Sequence, residues 1–347
     1  MGSHHIGIGL SGGVDSTVAA ALLLEQGHRV SGFFMLLPLP GLDDHLGRAR
    51  QAADQLGIPL HLVDLRRQFK GLVIRYFVHS YRAGLTPNPC ILCNREIKFG
   101  LLFDAMEREG MDSMATGHYA RIRQQGDRPF LFRGLDRAKD QSYFLCRLPP
   151  ARLARIRLPL GVWRKEAVRA RAAALGFRQS GDSESQDVCF LAGTSLAGFL
   201  ASQGLTGRAG EIVDREGTVL GSHRGIWHYT IGQRRGLGIP DATPWYVCAL
   251  DPVHNRIVVG KQDGLLSSRV QVRDMQWSVS PPPEEWQGLV QIRSRHRAVP
   301  GSVVRAKDGR WIITFRKPQR AVTPGQFCVL YEDDMVAGSA VIEAGQA

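Results

Sequence analysis

The sequence predicts a parallel, doubly wound α/β sheet followed by two small β-rich domains, the last of them a β-barrel. Strand-like apolar runs alternate with helical stretches through the first half of the 347 residues, the pattern of a parallel sheet with helices on both faces. After about residue 200, glycine becomes frequent and the apolar runs become short and β-branched. Three consecutive prolines, Pro281 to Pro283, precede a further set of evenly spaced runs. We therefore expect three domains, at 1–200, 201–264 and 265–347.

Glycines mark the ends of two helices in the α/β half. Gly27 and Gly57 each follow a helical stretch, at the position where a left-handed residue commonly ends a helix. Because parallel sheets bind ligands at the carboxyl ends of their strands, we expect the functional residues of this half there. The strands and helices predicted for it, in chain order, are Ile6–Leu10, Thr17–Gln26, Val30–Met35, Leu46–Leu56, Leu60–Val63, Phe69–Arg82, Phe99–Glu109 and Ser113–Thr116.

Short β-branched runs define the second half of the chain. Turn-forming residues separate these runs at the spacing of small antiparallel structures. The strands predicted before the three prolines are Glu211–Val213, Val219–Leu220, Trp245–Leu250 and Arg256–Val259. Those predicted after them are Val290–Arg293, Val303–Lys307, Trp311–Phe315, Cys328–Tyr331 and Val336–Ile342.

The charge balance of the chain is strongly basic. Lysine and arginine number 44 against 32 acidic residues, which gives a formal net charge of +12 and a pI near 9.8. This excess favours a polyanionic partner, with nucleic acid ahead of anionic lipid. The longest clean apolar run, Val18–Leu24, is too short to span a membrane, and the first residues show no export signal. We therefore expect a cytoplasmic protein that does not associate with a membrane.

A glycine-rich turn lies between the first strand and the first helix, where anion binding requires it. Adjacent glycines let the backbone approach a phosphate closely, and the helix start adds unpaired N–H groups and a positive dipole end. The turn lacks a Walker-type lysine, which disfavours γ-phosphate transfer by that class of enzyme. Its Ser-Gly-Gly-x-Asp-Ser pattern resembles the pyrophosphate loop of ATP pyrophosphatases, which cleave ATP between the α and β phosphates and adenylate a substrate oxygen. The predicted phosphate-binding residues are Gly9, Leu10, Ser11, Gly12, Gly13, Val14, Asp15 and Ser16.

Three of the six cysteines, Cys90, Cys93 and Cys189, lie in polar, loop-like surroundings. Cys93 precedes a predicted helix and has Arg95 and Lys98 close in sequence. Because a helix N-terminus and cationic neighbours both lower the pKa of a thiol, we expect Cys93 to form a reactive thiolate. Cys189 lies far downstream, so the residues alone leave structural zinc, redox chemistry and chance equally open.

Five further motifs accompany the phosphate loop and the cysteines. They are Pro87–Phe99, Ala115–Arg121, Lys139–Leu145, His228–Gly238 and Val322–Gln326. Together the motifs resemble the bacterial tRNA-specific 2-thiouridylase family, and the likeness extends through nearly the whole chain. The resemblance implies a first domain of the pyrophosphate-loop, adenine nucleotide alpha hydrolase-like type and a transferase that thiolates tRNA.

The resemblance also implies the reaction and its participants. ATP, with Mg²⁺, would adenylate the C2 oxygen of the wobble uridine in the tRNAs for lysine, glutamate and glutamine. Cys189 corresponds to the persulfide carrier of the family, which receives sulfur from an upstream sulfur-relay protein or a cysteine desulfurase. Cys93 corresponds to the second catalytic cysteine, which either frees sulfide from the persulfide or resolves the product as a Cys93–Cys189 disulfide. Met35 and Gly117 join the phosphate loop in the implied ATP site.

Residues that contact tRNA are implied in the same way. The target uridine has to leave its stack to reach a pocket, and the positions that correspond to its contacts are Asn88, Pro89 and Cys90. Arg293, Arg295 and Arg297 alternate along a predicted strand, which would place them on one face for phosphate contacts. The positions that correspond to tRNA contacts of the family are His118, Lys139, Asp140, Gln141, Arg295, His296 and Gln326.

Two positions depart from the pattern of the family. Cys90 stands where much of the family has an aspartate proposed as the general acid/base, and a thiol does not replace a carboxylate at neutral pH. Cys90, Cys93 and Cys189 would also be enough ligands for a [4Fe–4S] cluster with one open iron. Persulfide chemistry without a metal and cluster-dependent thiolation therefore both stay open. The segment Leu36–His45 is short and proline-rich where the family often has a longer acidic one.

Two functions of other classes also stay open from the sequence. Another AMP-forming pyrophosphate-loop ligase would cleave ATP without tRNA and would not need the cysteines. A non-enzymatic RNA-binding protein with a cysteine-ligated zinc would bind RNA in a salt-sensitive way and would form no AMP.

Overall fold

The computed structural model describes residues 3–177, 188–282 and 284–346, with only the backbone described at 346. The chain divides into two compact units. The first consists of Met1–Val73, Pro89–Ala192 and Asp334–Val336, and the second of Ile74–Asn88, Gly193–Asp333 and Ala337–Ala347.

A parallel sheet forms the centre of the first unit, as the alternation of strands and helices predicts. Its strand order is β3-β2-β1-β4-β7, with every neighbouring pair parallel. Ile6 and Ile8 on the central strand β1 are buried, because helices cover both faces of a sheet of this kind. The strands of the first unit are β1 (His5–Gly9), β2 (Arg29–Leu36), β3 (Leu60–Asp64), β4 (Ser113–Ala115), β5 (Ala120–Gln125), β6 (Arg128–Arg133) and β7 (Ile156–Arg157).

The helices begin and end close to the predicted places in the first part of the chain. Gly27 (φ 81°) and Gly57 (φ 65°) both have left-handed backbones immediately after a helix, which confirms the two predicted helix ends. No helix among the described residues is long and apolar enough to cross a membrane. The α-helices are α1 (Val14–Glu25), α2 (Leu42–Leu56), α3 (Arg66–Phe69), α4 (Arg75–Arg82), α5 (Pro89–Leu92), α6 (Phe103–Arg108), α7 (Ser142–Leu145), α8 (Pro150–Leu153), α9 (Lys165–Ala174) and α10 (Leu196–Ser202).

Two helical segments are wound differently from the prediction. Lys70–Ile74 and Cys93–Leu102 are π-helical, so the helices predicted at Phe69–Arg82 and Phe99–Glu109 are each only partly α-helical. A π-helix closes its hydrogen bonds between residues five apart and is common at functional sites. A β-carbon at Gly100 would lie 3.0 Å from the carbonyl oxygen of Arg95, five residues earlier. The sequence shows no pattern that separates π from α winding.

Strands β5 and β6 form an antiparallel hairpin that the sequence analysis did not predict. Its turn contains Gly126, with a left-handed backbone. Arginine and glutamine fill much of β5 (Ala120–Gln125), so the apolar alternation that marks a half-buried strand is too weak there to be detected.

Antiparallel strands make up most of the second unit, as predicted. Strands β8 to β11 form a sheet with the order β10-β11-β8-β9, whereas β12 to β17 close into a barrel through the pairing of β12 with β17. Val270, Val303 and Ile313 fill the barrel interior. Strand β12 was not predicted, and most other strands are longer than predicted. The strands are β8 (Gly210–Val213), β9 (Val219–His223), β10 (Tyr246–Asp251), β11 (Arg256–Gly260), β12 (Leu266–Trp277), β13 (Glu285–Gln291), β14 (Val299–Arg305), β15 (Trp311–Arg320), β16 (Phe327–Glu332) and β17 (Met335–Gln346).

Candidate active site

The glycine-rich turn lies between the end of β1 and the start of α1, where the sequence predicts it. Gly12 has φ 73°, and a β-carbon there would lie 2.5 Å from the backbone nitrogen of Ala49 in α2, so only glycine fits. The Ser16 hydroxyl donates to the Gly13 carbonyl at 3.0 Å and accepts from the Ser11 amide at 3.2 Å. These bonds hold the turn in shape, with the N-terminus of α1 directly behind it.

Other strand ends lie beside this turn. A β-carbon at Gly117 would lie 2.7 Å from the carbonyl carbon of Asp15 and 2.8 Å from the amide nitrogen of Ser16. The segment after β4 therefore packs directly on the phosphate loop. Met35, half-buried, lies near the end of β2, the neighbour of β1 on the other side. The structure thus brings the predicted ATP-site residues to one edge of the sheet, while their role in binding stays a prediction.

Asp15 of the loop has two partners that the sequence analysis did not identify as site residues. The Tyr119 hydroxyl donates to one carboxylate oxygen at 2.7 Å. The ammonium group of Lys165 contacts both oxygens, at 2.7 and 2.8 Å. Lys165 is the first residue of α9 and is only 9% exposed. A buried cation at the start of a helix opposes the helix dipole, but neither the burial of Lys165 nor its contact with Asp15, 150 residues away, is visible in the sequence.

The cysteine segment begins with the short helix α5 and continues as the π-helix from Cys93. Cys93 is 9% exposed, and this burial raises the pKa of its thiol to about 12. The expectation of a lowered pKa at Cys93 was therefore wrong, because burial outweighs the nearby cation. Arg95, one of the two cations expected to act there, is exposed and pairs with Glu96 at 3.0 Å.

Cys189 begins a short 3₁₀ turn at Cys189–Leu191 and is exposed. The next residue, Phe190, is buried and its ring lies 5.9 Å from that of Phe69, which anchors the turn in the first unit. Desolvation of the Cys189 thiol raises its pKa above the ordinary value. Of the preceding motif residues, 183–187 lie outside the described part of the chain.

Lys98 is the positive charge that Cys90, Cys93 and Cys189 share. Its charge lowers the pKa of all three thiols, although desolvation of each thiol keeps its pKa raised overall. Cys189 in turn raises the pKa of the Cys90 and Cys93 thiols. Such mutual effects require groups that are close in space, so the structure brings the two predicted catalytic cysteines into one region of the first unit.

The positive charge of Lys98 also acts on His118. Burial and Lys98 hold the pKa of its imidazole well below the usual value, so the ring is neutral at pH 7. Its Nδ1 lies 2.8 Å from the Thr116 hydroxyl oxygen, and its ring centroid lies 5.7 Å from that of Phe99. A neutral imidazole can donate one hydrogen bond and accept another.

The Lys139–Gln141 segment is tied into the fold by its side chains. The carboxylate of Asp140 accepts hydrogen bonds from the Gly134 and Ser142 amides and from the Ser142 hydroxyl. Gln141 accepts from the Tyr119 amide at 2.9 Å. These bonds hold the segment beside the residues that follow β4, so a tRNA contact here would act through an already ordered loop.

In the second unit, the arginine row does not lie on a strand. Strand β13 ends at Gln291, and residues 293–296 form a turn before β14. The strand predicted at Val290–Arg293 therefore ends two residues earlier than predicted, at Gln291. The prediction that Arg293, Arg295 and Arg297 share one face of a strand was wrong. Arg295 and Arg297 are nevertheless exposed, as phosphate contacts require.

His296 and Gln326 make bonds inside the second unit. The imidazole Nε2 of His296 lies 3.0 Å from the Gln319 side-chain oxygen, and burial lowers the pKa of the ring. Gln326 donates to the carbonyl oxygens of Thr86 and Pro87, at 2.9 and 3.3 Å. Gln326 thus holds the segment that leads to the predicted target-base residues, of which Asn88 and Pro89 are buried and Cys90 is partly exposed.

Comparison with known proteins identifies the family. The tRNA methyl transferase HUP domain matches residues 4–193, the tRNA methyl transferase PRC-barrel domain 198–261 and the aminomethyltransferase beta-barrel domain 267–342. A protein from Desulfotalea psychrophila named tRNA-specific 2-thiouridylase MnmA is 44% identical over 97% of this chain and 98% of its own. A protein of the same name from Trichlorobacter lovleyi is 45% identical over 98% of this chain and 97% of its own. The chain belongs to the tRNA-specific 2-thiouridylase family.

The resemblance found from the motifs is thereby confirmed over the whole length of the chain. The HUP-domain match covers both the phosphate loop and the three cysteines. In this chain the predicted phosphate loop and the three cysteines lie in one compact unit.

An iron–sulfur cluster does not match the cysteines of this 2-thiouridylase as they are arranged. Among residues 3–177, 188–282 and 284–346, no three histidine, cysteine, aspartate or glutamate side chains converge as metal ligands. We therefore derive no reaction step through a cluster.

Proposed function

We propose that this protein is an ATP-dependent tRNA-uridine 2-sulfurtransferase that acts on the wobble uridine of the tRNAs for lysine, glutamate and glutamine. The observation that carries the proposal is the presence of the phosphate loop, Cys93 and Cys189 within one compact unit, in a chain that is 44% identical to proteins named tRNA-specific 2-thiouridylase. The net charge of +12 suits a polyanionic substrate, and we propose the cytoplasm as the place of the reaction.

Activation of the base is the first step. The amides of the phosphate loop and the start of α1 bind the phosphates of ATP, and Mg²⁺ that enters with ATP neutralises phosphate charge. The uracil C2 oxygen attacks the α-phosphorus, the bond to the β-phosphate oxygen breaks, and pyrophosphate leaves. The C2 oxygen then belongs to an AMP ester, which is a far better leaving group than oxide.

Sulfur delivery is the second step. The exposed Cys189 accepts a sulfur atom from an upstream sulfur-relay protein or a cysteine desulfurase and becomes a persulfide. In one route the terminal sulfur attacks C2 and expels AMP, and the Cys93 thiolate then attacks the Cys189 sulfur, breaks its bond to the delivered sulfur and releases 2-thiouridine. In the other route the Cys93 thiolate first attacks the Cys189 sulfur and frees sulfide, which then attacks C2 and expels AMP. In both routes the two cysteines end as a disulfide, because each gives up one electron to the delivered sulfur. An external dithiol has to reduce that disulfide before the next turnover.

The proton chemistry follows from the pKa directions. Burial raises the pKa of the Cys90 thiol, so Cys90 is a neutral thiol at pH 7 and does not take the role of a carboxylate base. The nearby cation Lys98 stabilises the anionic sulfur that each route requires. Cys93 needs this help most, because its thiol has a pKa of about 12.

The test is a reconstituted reaction. The protein is incubated with ATP, Mg²⁺, a dithiol, a cysteine desulfurase with cysteine, and unmodified lysine tRNA, and the tRNA is then digested to nucleosides. We expect 2-thiouridine at the wobble position and one AMP for each thiolated tRNA. AMP formation without tRNA would instead indicate a ligase, and RNA binding without AMP would indicate a binding protein. Absence of 2-thiouridine with an active control enzyme would refute the proposal.

The cluster-dependent alternative has its own test. Protein prepared anaerobically is analysed for iron and acid-labile sulfide and is assayed for thiolation in the same preparation. Thiolation without either element would exclude the cluster, and thiolation that requires both would replace the persulfide route.

A further inference from the structure

The phosphate loop contains a partly buried ion pair that no step described above uses. The ammonium group of Lys165 lies 2.7 and 2.8 Å from the two carboxylate oxygens of Asp15, and the Lys165 and Asp15 side chains are 11% and 35% exposed. The Tyr119 hydroxyl donates to the same carboxylate at 2.7 Å. The ammonium group also lies 5.6 Å from the centre of the Tyr119 ring, so Tyr119 shields the pair.

This pair is costly on general grounds. Removing the Lys165 ammonium group from water carries a desolvation cost that its attraction to the partly exposed Asp15 has to offset. Lys165 also lies at the N-terminus of α9, where the helix dipole disfavours a cation. Asp15, by contrast, lies in the first turn of α1, where an anion is favoured. The lysine is therefore placed against its local preference, directly behind a loop whose glycines are shaped for a phosphate.

The carboxylate of Asp15 explains why a cation is needed there. An unpaired carboxylate in the loop would repel the triphosphate of ATP and the pyrophosphate that leaves, and this repulsion is stronger at a partly buried site than in bulk water. A buried ammonium group cancels that charge. Its bond to Asp15 also fixes the backbone of residues 15 and 16, on which Gly117 packs.

We propose that Lys165 is a positioning residue for the pyrophosphate part of ATP: it neutralises Asp15 and holds the phosphate loop in its binding shape. The effect should be greater for ATP than for AMP, because the β and γ phosphates add negative charge that AMP lacks. The proposal rests on the proposed function only in that the loop binds ATP.

The experiment compares nucleotide binding among variants of the full-length protein. Dissociation constants for ATP and for AMP are measured by calorimetry for the wild type, Lys165→Gln, Lys165→Arg and the double variant Asp15→Asn/Lys165→Gln. Arg164→Gln is the matched control, since Arg164 precedes Lys165 and is exposed. We expect Lys165→Gln to weaken ATP binding at least tenfold and AMP binding less than threefold. Lys165→Arg should keep most of the ATP affinity, and the double variant should regain part of it because no unpaired carboxylate remains.

The outcomes separate this inference from the proposed function. Wild-type protein that binds no ATP would overturn both. If the wild type binds ATP, two results for Lys165→Gln would overturn the inference and leave the proposed function standing. They are an equal loss of affinity for ATP and AMP, and no loss of affinity for ATP. Should Lys165→Gln not fold, the double variant, which contains neither charge, still decides: a loss of ATP affinity of tenfold or more relative to the wild type would overturn the inference.

Discussion

Gly117 lies so close to Asp15 that a β-carbon on the glycine would come within 2.7 Å of the aspartate carbonyl carbon. This contact joins the segment after β4 to the phosphate loop after β1, and the two strands are paired from Ile6 to Ile8. The atoms opposite Gly117 belong to the backbone of Asp15 and Ser16, so no flexible side chain can move to relieve the contact. The geometry of the loop therefore depends on the absence of a side chain at position 117.

Gly117→Ala should displace the phosphate loop. Relief of the contact has to move backbone, at a cost of about 1–3 kcal/mol of stability, and we expect catalytic efficiency for ATP to fall at least tenfold. Steady-state kinetics of AMP formation with saturating tRNA measures this. Gly47→Ala is the control, because Gly47 lies within α2 and a β-carbon there meets nothing within 4 Å. Unchanged ATP kinetics in Gly117→Ala would contradict the proposed place of Gly117 in the ATP site.

The two cysteines should be essential for sulfur transfer but not for ATP binding. We expect Cys93→Ser and Cys189→Ser each to abolish 2-thiouridine formation while the dissociation constant for ATP stays within about twofold, since serine forms neither a persulfide nor a disulfide. Cys248→Ser in the second unit should retain activity. Mass spectrometry of wild-type protein after a single turnover without dithiol should detect a Cys93–Cys189 peptide. Full thiolation by either serine variant would refute both sulfur routes.

The overall architecture could be predicted because its signals are local. Gly27 and Gly57 end helices where the sequence indicated, since a left-handed backbone favours glycine at that position whatever surrounds it. The π winding of Cys93–Leu102 could not be predicted, because α- and π-helices have the same residue preferences. The hairpin β5–β6 was missed since its polar residues give no apolar alternation.

The candidate site was only partly predictable for a related reason. The phosphate loop is a contiguous motif and was found, whereas the partner of Asp15, Lys165, lies 150 residues away in sequence. The pKa of Cys93 was predicted with the wrong direction because the sequence displays Arg95 and Lys98 but not the burial of the thiol. Contacts between distant segments and desolvation are the two quantities that a single sequence does not contain.

Lys98 should set the pH dependence of the cysteines. Thiols react as thiolates, so the alkylation rate rises with pH as the thiol deprotonates. The positive charge of Lys98 lowers the pKa of all three thiols. Lys98→Gln removes that charge and raises each pKa, so at a fixed pH the thiolate fraction and the alkylation rate of Cys189 should fall several-fold. Iodoacetamide labelling from about pH 7 to 9, followed by peptide mass spectrometry, gives the profile.

Arg95→Gln is the matched control for that profile. Arg95 lies on the same π-helix as Lys98, is exposed and pairs with Glu96. Arg95→Gln should therefore leave the pH dependence of the Cys189 alkylation rate unchanged. A Lys98→Gln profile that coincides with the wild type would show that the lysine does not act on the thiols. Thiolation by Lys98→Gln should in parallel shift to higher pH, with ATP binding unchanged.

The turn between β13 and β14 should contribute to tRNA binding through phosphate contacts. Arg295 is exposed in this turn, and each lysine or arginine that neutralises a phosphate releases counterions, so affinity falls with salt in proportion to the number of contacts. We expect Arg295→Gln to weaken tRNA binding several-fold at low salt and to reduce the slope of log affinity against log salt by about one. The turnover number at saturating tRNA should stay near the wild-type value, because the residue positions tRNA without taking part in the chemistry.

Arg310→Gln is the control, since Arg310 is exposed and pairs with Asp308 through Nε at 2.7 Å. Filter binding of lysine tRNA at four salt concentrations measures the affinity and its salt slope. Equal salt slopes for the wild type and Arg295→Gln would exclude a phosphate contact at Arg295.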